Sequence, residues 1–344
     1  MSTELERLET LGWNAGFAAD LPPHHLASRV VRVDRGACDV VGAAGEQRVV
    51  YSGAIKRAAA EDPVALPCVG DWVAIDGEVK AVLPRRTAIV RTGASPGVSR
   101  GQVLAANVDI VYIAEPAVPD IDLGRVERLL ALAWESGAQP VVLITKADLT
   151  PVDIATVEAA APGATVSAIS SVTGEGVSGV APRRGQTAVV LGRSGAGKST
   201  LVNALAGADV MATQDIRAAD GRGRHTTVHR ELLVLPHGGM IIDTPGLRSI
   251  GVYDADDGLA QVFAEIEELA AQCRFVDCVH ETEPDCAVLA AVDSGALTPR
   301  RLASWRKLQR EARWMASRTD ARIRAEETRK WKAITKSVRG TIRP

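Results

Sequence analysis

The spacing of apolar positions changes twice along the chain. From Arg29 to about residue 92, short β-branched runs (RVVRVD, CDVVGA, QRVVYSG, DWVAID, EVKAVL and TAIVRT) are separated by turn signals at Asp34-Arg35-Gly36, Gly42 to Gly45 and Asp76-Gly77. Short strands at this density predict a small all-β barrel of five or six strands, of the OB type. From Asn107 the pattern becomes an alternation. Val108 to Ala114 and Val141 to Ile144 read as buried strands, and Leu123 to Ser136 places Val126, Leu129, Leu130 and Ala133 on one helical face. Further strands are expected at Thr165-Val166, at Ala188 to Leu191 and at Gly239 to Ile242, so strands and helices alternate as they do in a parallel α/β sheet. Residues 1–28 read as a polar lead with one helix around Glu4 to Leu11, and Pro299 to about Lys336 as one or two helices carrying Trp305, Trp314 and Trp331.

Composition narrows the class. The 344 residues, 46% hydrophobic and 24% charged, suit two or three soluble globular domains. No apolar run reaches the roughly 18 residues of a membrane span, and the opening MSTELERLETLGW lacks a basic segment followed by an apolar one, so a cytoplasmic protein without membrane contact is expected. Net charge is −2 but unevenly spread: from Arg300 onward fifteen Lys and Arg face four acids, giving +11 there and −13 on the remainder. That asymmetry points to a polyanionic partner, and interleaved tryptophans favour RNA, although they equally suit packing of this helix onto its neighbour. In the barrel, Arg29, Arg32, Arg35, Arg48, Lys56 and Arg57 either follow a phosphate backbone or form solvated strand faces.

The candidate chemistry lies in two places. Residues 187–200, TAVVLGRSGAGKST, read as strand, glycine-rich loop and helix start, and Gly192 followed after four residues by Gly197-Lys198-Ser199 meets the phosphate-loop pattern in its proper context. The backbone N–H groups of Gly192, Arg193, Ser194, Gly195, Ala196 and Gly197 suit phosphate oxygens; Lys198 suits the β and γ phosphates, and Ser199, followed by Thr200, offers a hydroxyl to magnesium. Thr145-Lys146-Ala147-Asp148, Ser167-Ala168-Ile169 and Asp243-Thr244-Pro245-Gly246 each end a predicted strand, where open α/β sheets bind ligands. Asp148 suits the N1–H and N2–H of guanine and mismatches adenine, the Lys146 stem lies over the ring, and the backbone near Ser167 and Ala168 faces the guanine carbonyl. Asp243 is placed for magnesium and the Gly246 N–H for the γ phosphate, so GTP or GDP with Mg2+ is the expected ligand.

The second place is C-x4-C-x-H-x5-C, formed by Cys273, Cys278, His280 and Cys286. Three thiolates and an imidazole within fourteen residues suit one structural Zn2+ with no open position, and five cysteines so placed argue against a disulfide framework. Cys38 and Cys68 have no ligand neighbours and read as small core residues.

The nucleotide motifs resemble those of TRAFAC-type GTPases, with one difference of order: TKAD and SAI precede the phosphate loop and DTPG comes last, as in a circularly permuted domain. A permuted GTPase domain between a β-barrel and a Cys/His cluster resembles the ribosome small subunit-dependent GTPase A family over about residues 29–335. VGDWV at 69–73 and Gly223-Arg224-His225-Thr226-Thr227, similar to that family's switch segment, add to the likeness. The resemblance implies a multidomain chain: a lead at 1–28, an OB-like RNA-binding barrel at 29–95, a circularly permuted α/β P-loop GTPase domain at 100–255, and an α-helical zinc-binding domain with a basic tail at 256–344. It further implies a monomeric GTP hydrolase that acts in late maturation of the small (30S) ribosomal subunit, contacts 16S rRNA, is stimulated by the subunit and leaves on hydrolysis. By the same resemblance Lys198 and His225 are catalytic, His225 orienting water, with Thr226 or Thr227 as a switch ligand to magnesium; a plain loop histidine is the alternative for His225. Two residues depart from the usual pattern. Thr145 stands where Asn is usual, and its hydroxyl either donates to the base or braces the phosphate loop, weakening rather than altering nucleotide choice. Leu247 follows DTPG and cannot orient water, an absence the family shares. The alternative function is nucleotide-gated RNA binding with incidental hydrolysis; ATP use is disfavoured by Asp148.

Overall fold

The computed structural model describes residues 2–92, 101–211, 231–243 and 256–319. Five strands build the barrel: β1 (Leu26–Asp34), β2 (Ala37–Gly42), β3 (Gly45–Val50), β4 (Trp72–Asp76) and β5 (Glu78–Val82). β1 pairs antiparallel with both β2 and β4, β2 with β3, and β4 with β5; a parallel Tyr51–Val79 bridge brings β3 to β5 and closes the ring. Alternate residues point inward, and Val30, Cys38, Val40, Val49, Val73, Ile75 and Val79 fill the interior. Helix α3 (Gly53–Glu61), capped where the Ser52 hydroxyl accepts from the Ile55 N–H at 3.3 Å, adds Ile55 to that core.

The run TAIVRT was expected as a barrel strand. It forms β6 (Ala88–Thr92), but pairs instead with β7 (Gly101–Ala106), which lies beyond the boundary of 95 expected for the barrel. After β5 the chain leaves the barrel because its backbone is captured elsewhere: Arg86 N–H donates to Asn107 Oδ1 at 2.9 Å and Ala88 N–H to Ser136 O at 3.1 Å.

The lead is also more than polar. Besides α1 (Ser2–Thr10) it forms α2 (Ala15–Asp20) and buries Leu11, Trp13 and Phe17. Trp13 meets Trp72 edge-on at 4.7 Å between centroids, and Phe17 lies 5.9 Å from the same ring. β1 starts at Leu26, earlier than the expected Arg29.

The α/β domain carries parallel strands β8 (Ile110–Pro116), β9 (Gln139–Thr145), β10 (Thr165–Ala168), β11 (Thr187–Leu191) and β13 (Met240–Asp243), with β12 (Glu231–Val234) antiparallel to β13. Their order is β10-β9-β8-β11-β13-β12, and the Arg32–Glu231 pair continues the sheet into β1 of the barrel. Helix α4 (Leu123–Glu135) begins where Asp122 accepts from the Arg125 N–H at 3.0 Å, and buries Val126, Leu129, Leu130 and Ala133 as its period requires. Helices α5 (Ile154–Ala160) and α6 (Lys198–Ala206) follow β9 and β11. The last unit holds α7 (Asp256–Val262), α8 (Ala264–Ala270), α9 (Ala287–Asp293) and α10 (Pro299–Thr319). Among the described residues no helix is long and apolar enough to cross a membrane.

Candidate functional site

The carboxyl ends of β8, β9, β10 and β11 come out on one edge of the sheet, since these neighbours are parallel and in register: Leu191 lies beside Ile113, Thr145 beside Pro116 and Ala168 beside Ile144. The phosphate loop leaves β11 at Gly192. Only glycine fits there, because a Cβ would lie 2.4 Å from Ala114 O. The loop ends at Gly197, whose φ of +83° turns the chain into α6 in the left-handed region that favours glycine. The positive end of α6 therefore opens at the loop, with Lys198 in its first turn. The Lys198 ammonium donates to Gly192 O at 2.8 Å and Arg193 O at 2.7 Å, so its charge sits over the loop. Ser194 and Gly195 are exposed, and Ser199 and Thr200 partly so.

Beside the loop, β9 delivers Thr145, Lys146 and Asp148. Lys146 has a left-handed backbone (φ +58°), and Asp148, two residues on, is exposed just past the end of β9. Ala147 N–H donates to Ile169 O at 3.2 Å and Ile169 N–H to Ile144 O at 2.9 Å, tying this segment to the one holding Ser167 and Ala168. Asp148, Ala168 and Ile169 line a cavity of about 510 Å³. Thr145 is buried, and its hydroxyl donates to Ala196 O in the phosphate loop at 2.7 Å. Of the two roles open to it in the sequence, it takes the brace. Asp243 ends β13, the neighbour of β11, and so reaches the same edge. His225, Thr226, Thr227 and Gly246 lie outside the described residues.

The structure adds residues that sequence reasoning missed. Glu115 at the end of β8 is fully buried, accepting from Asp122 N–H at 3.2 Å and Arg125 Nε at 3.0 Å. Its burial outweighs these donors and the nearby Arg193 charge, so its pKa is raised. Asn203 on α6 exchanges two hydrogen bonds with the backbone of Met211, at 2.9 and 2.7 Å, anchoring the chain as it leaves that helix.

Arg29 corrects an expectation. It is buried rather than facing a polyanion, and donates to Gly70 O at 3.1 Å, Asn107 O at 2.9 Å, Thr187 Oγ1 at 3.0 Å and Leu11 O. One guanidinium thus joins the lead, the barrel and the base of β11, and burial brings its pKa down to about 10 despite Asp109 and Asp71. Arg48 is exposed but paired with Asp34 and Asp39, both at 2.8 Å, while Arg35, Lys56 and Arg57 are exposed.

Cys273, Cys278, His280 and Cys286 converge, with one ligand atom from each within 4.8 Å of the others. Cys273 Sγ lies 3.8 Å from Cys286 Sγ and 3.5 Å from His280 Nδ1. Bonds of about 2.3 Å to sulfur in a tetrahedron put sulfurs about 3.8 Å apart, so the donor set fits Zn2+ in both chemistry and span. The Glu283 carboxylate shapes the intervening loop by accepting from the N–H groups of Val279, Glu281 and Thr282. Trp305 of α10 packs against His280, its ring 5.6 Å away, and donates to Glu267 at 3.1 Å, whereas Trp314 is exposed; Trp331 lies outside the described residues. The first tryptophan therefore holds the helix onto the Cys3His unit.

Comparison with known proteins agrees with this geometry. The family profile described as RsgA GTPase matches residues 82–253. The small ribosomal subunit biogenesis GTPase RsgA of Streptomyces avermitilis is 52% identical over 96% of this chain and 92% of its own length, and that of Opitutus terrae is 41% identical over 98% of each. Among solved structures, YjeQ from Thermotoga maritima superposes with a TM-score of 0.59 at 25% identity, covering 83% of this chain and 97% of that one. YloQ, described as a circularly permuted GTPase, gives 0.55 at 23% identity over 84% and 95%, a likeness of fold. A phosphate loop preceded by the TKAD and SAI segments, set between a closed β-barrel and a Cys3His unit and matched along nearly its whole length, places this chain in the RsgA GTPase family.

Proposed function

We propose that this chain is a GTP hydrolase acting in late maturation of the small (30S) ribosomal subunit, binding the subunit with GTP and leaving it on hydrolysis. The observation that carries this is the meeting of the Thr145–Asp148 and Ser167–Ala168 segments with the phosphate loop on one sheet edge. Asp148 selects guanine through its N1–H and N2–H, and the loop N–H groups with Lys198 hold the phosphates. Ser199 and Asp243, a hydroxyl and a carboxylate suited to a hard cation, would hold Mg2+, which would supply neutralisation of phosphate charge. His225 would orient water and Thr226 or Thr227 would serve as a switch ligand to magnesium, as the likeness to the family's switch segment implies. The relatives' names speak for the small subunit as partner; 16S rRNA contact through the barrel and the basic residues from Arg300 onward, a monomeric state and a cytoplasmic location complete the reading. In this reading the barrel precedes the permuted GTPase domain and the zinc-binding helices follow it.

Base choice tests the nucleotide half directly. Asp148→Asn should lose GTP and gain the xanthine nucleotide XTP, whose C2 carbonyl accepts where guanine donates, and Lys198→Ala should lose both. Equal hydrolysis of ATP and GTP by the unmodified protein would overturn the assignment.

A further inference from the structure

A threonine hydroxyl has one proton to give. In Thr145 that proton is directed at Ala196 O, 2.7 Å away, on a side chain with 2% of its surface exposed. The residue is fixed on both sides: its own carbonyl accepts from Ala117 N–H at 2.9 Å, and its Cβ and Oγ1 lie 3.7 Å from where a side chain on Gly197 would begin. Ala196, fully buried, has its carbonyl turned towards β9, and the Thr145 hydroxyl meets it there. Redirecting the hydroxyl to a ligand would strip that acceptor of this donor, which the burial of the site disfavours.

Guanine presents two readable edges. N1–H and N2–H lie on one; N7 and O6, both acceptors, lie on the other. Asp148 can address only the first, because a carboxylate accepts. The second edge needs donors, and the donor that position 145 carries points into the phosphate loop. We infer that Thr145 is a positioning residue for the phosphate loop and that its hydroxyl leaves N7 of the base unread, so that among the described residues guanine is selected by Asp148 and the backbone near Ala168. This rests on the nucleotide reading above and deepens it: the acceptable substrates are guanine nucleotides whose N7 position is altered as well as GTP itself.

The test uses the full chain and two probes, GTP and 7-deaza-GTP, which keeps N1–H, N2–H and O6 but has carbon at position 7. Binding is followed by displacement of a fluorescent GDP. The unmodified protein should bind the two equally, within about twofold. Thr145→Val should weaken both by the same factor, roughly 3- to 10-fold for one lost internal hydrogen bond, and Thr145→Ser should restore both. A several-fold preference of the unmodified protein for GTP over 7-deaza-GTP overturns the inference, as does a Thr145→Val loss confined to GTP. Should the valine protein fail to fold, the two-probe comparison on the unmodified protein and on Thr145→Ser decides alone. Failure of both probes to bind is a distinct outcome, since it removes the nucleotide reading itself and the inference with it.

Discussion

Removing the Glu127 carboxylate should release the C-terminal helices from the α/β domain. Glu127 sits on α4, fully buried, and holds three side chains of α10: Oε1 accepts from Arg300 at 2.9 Å and Arg301 at 2.7 Å, and Oε2 from Arg300 at 3.2 Å and from the Ser304 hydroxyl. Arg300 is nearly half exposed and gives little. Arg301 is different, with a side chain only 7% exposed. Breaking a buried pair by deleting one partner costs about 3–5 kcal/mol, because the other charge stays buried. Arg301 keeps Glu265 at 2.7 Å and the carbonyl of Ala160 at 3.3 Å, so Glu127→Ala should fall at the lower end, about 3 kcal/mol. At about 2–4 °C per kcal/mol for a domain of this size, thermal unfolding should begin roughly 6–12 °C lower. Calorimetry reads the shift, and limited proteolysis should show the region from residue 256 cut first. Glu127→Leu combined with Arg301→Met, which removes both charges, should recover most of the loss. A Glu127→Ala protein that melts within about 1 °C of the parent, or a double variant no better than the single one, would refute the reasoning.

Three further outcomes are expected. Chelation of zinc should make Cys273, Cys278 and Cys286 react rapidly with a thiol reagent, while Cys38, its thiol pushed up to about 12 by burial, and buried Cys68 should wait for unfolding; an unchanged count of reactive thiols would contradict the metal assignment. Burial raises the Glu115 pKa, so the folded chain holds that proton to higher pH than the unfolded chain does. Its contribution to stability is therefore present below the ordinary value of 4.5 and declines as pH rises through the raised one, so the stability of the parent relative to Glu115→Gln should drop as pH rises above 4.5, and an increase there would count against it. Asp148→Asn should exchange GTP for XTP in a binding titration, and retention of GTP would remove Asp148 as the base reader.

The sequence carried much of this site. The phosphate loop and the TKAD segment follow strands with clear apolar runs, and a Cys3His spacing has few other uses, so those strand ends and the candidate metal ligands are legible from local pattern, whereas the strand at Thr165-Val166 is only two residues long as read from the sequence. What stayed hidden depends on pairing across long separations. Nothing in the run RVVRVD sets Arg29 apart from Arg32, and its burial is set by residues 11, 70, 107 and 187. Glu127 is a polar residue on a helix whose partner arginine comes 174 positions later. The departure of β6 from the barrel turns on capture of the backbone by Asn107 and Ser136, which no period in the run TAIVRT announces. For Thr145 the sequence left two roles open because the distance to Ala196, 51 residues on, is a property of the folded loop.

The most direct test of the proposed function is GTP turnover by the full chain measured alone, with purified 30S subunits, with 50S subunits and with free RNA, and with ATP in parallel. The account predicts slow hydrolysis of GTP alone, strong acceleration by 30S subunits only, and no comparable turnover of ATP. GTP that binds but is hydrolysed no faster with any addition would contradict it, leaving a nucleotide-gated binding protein and withdrawing the role given to His225.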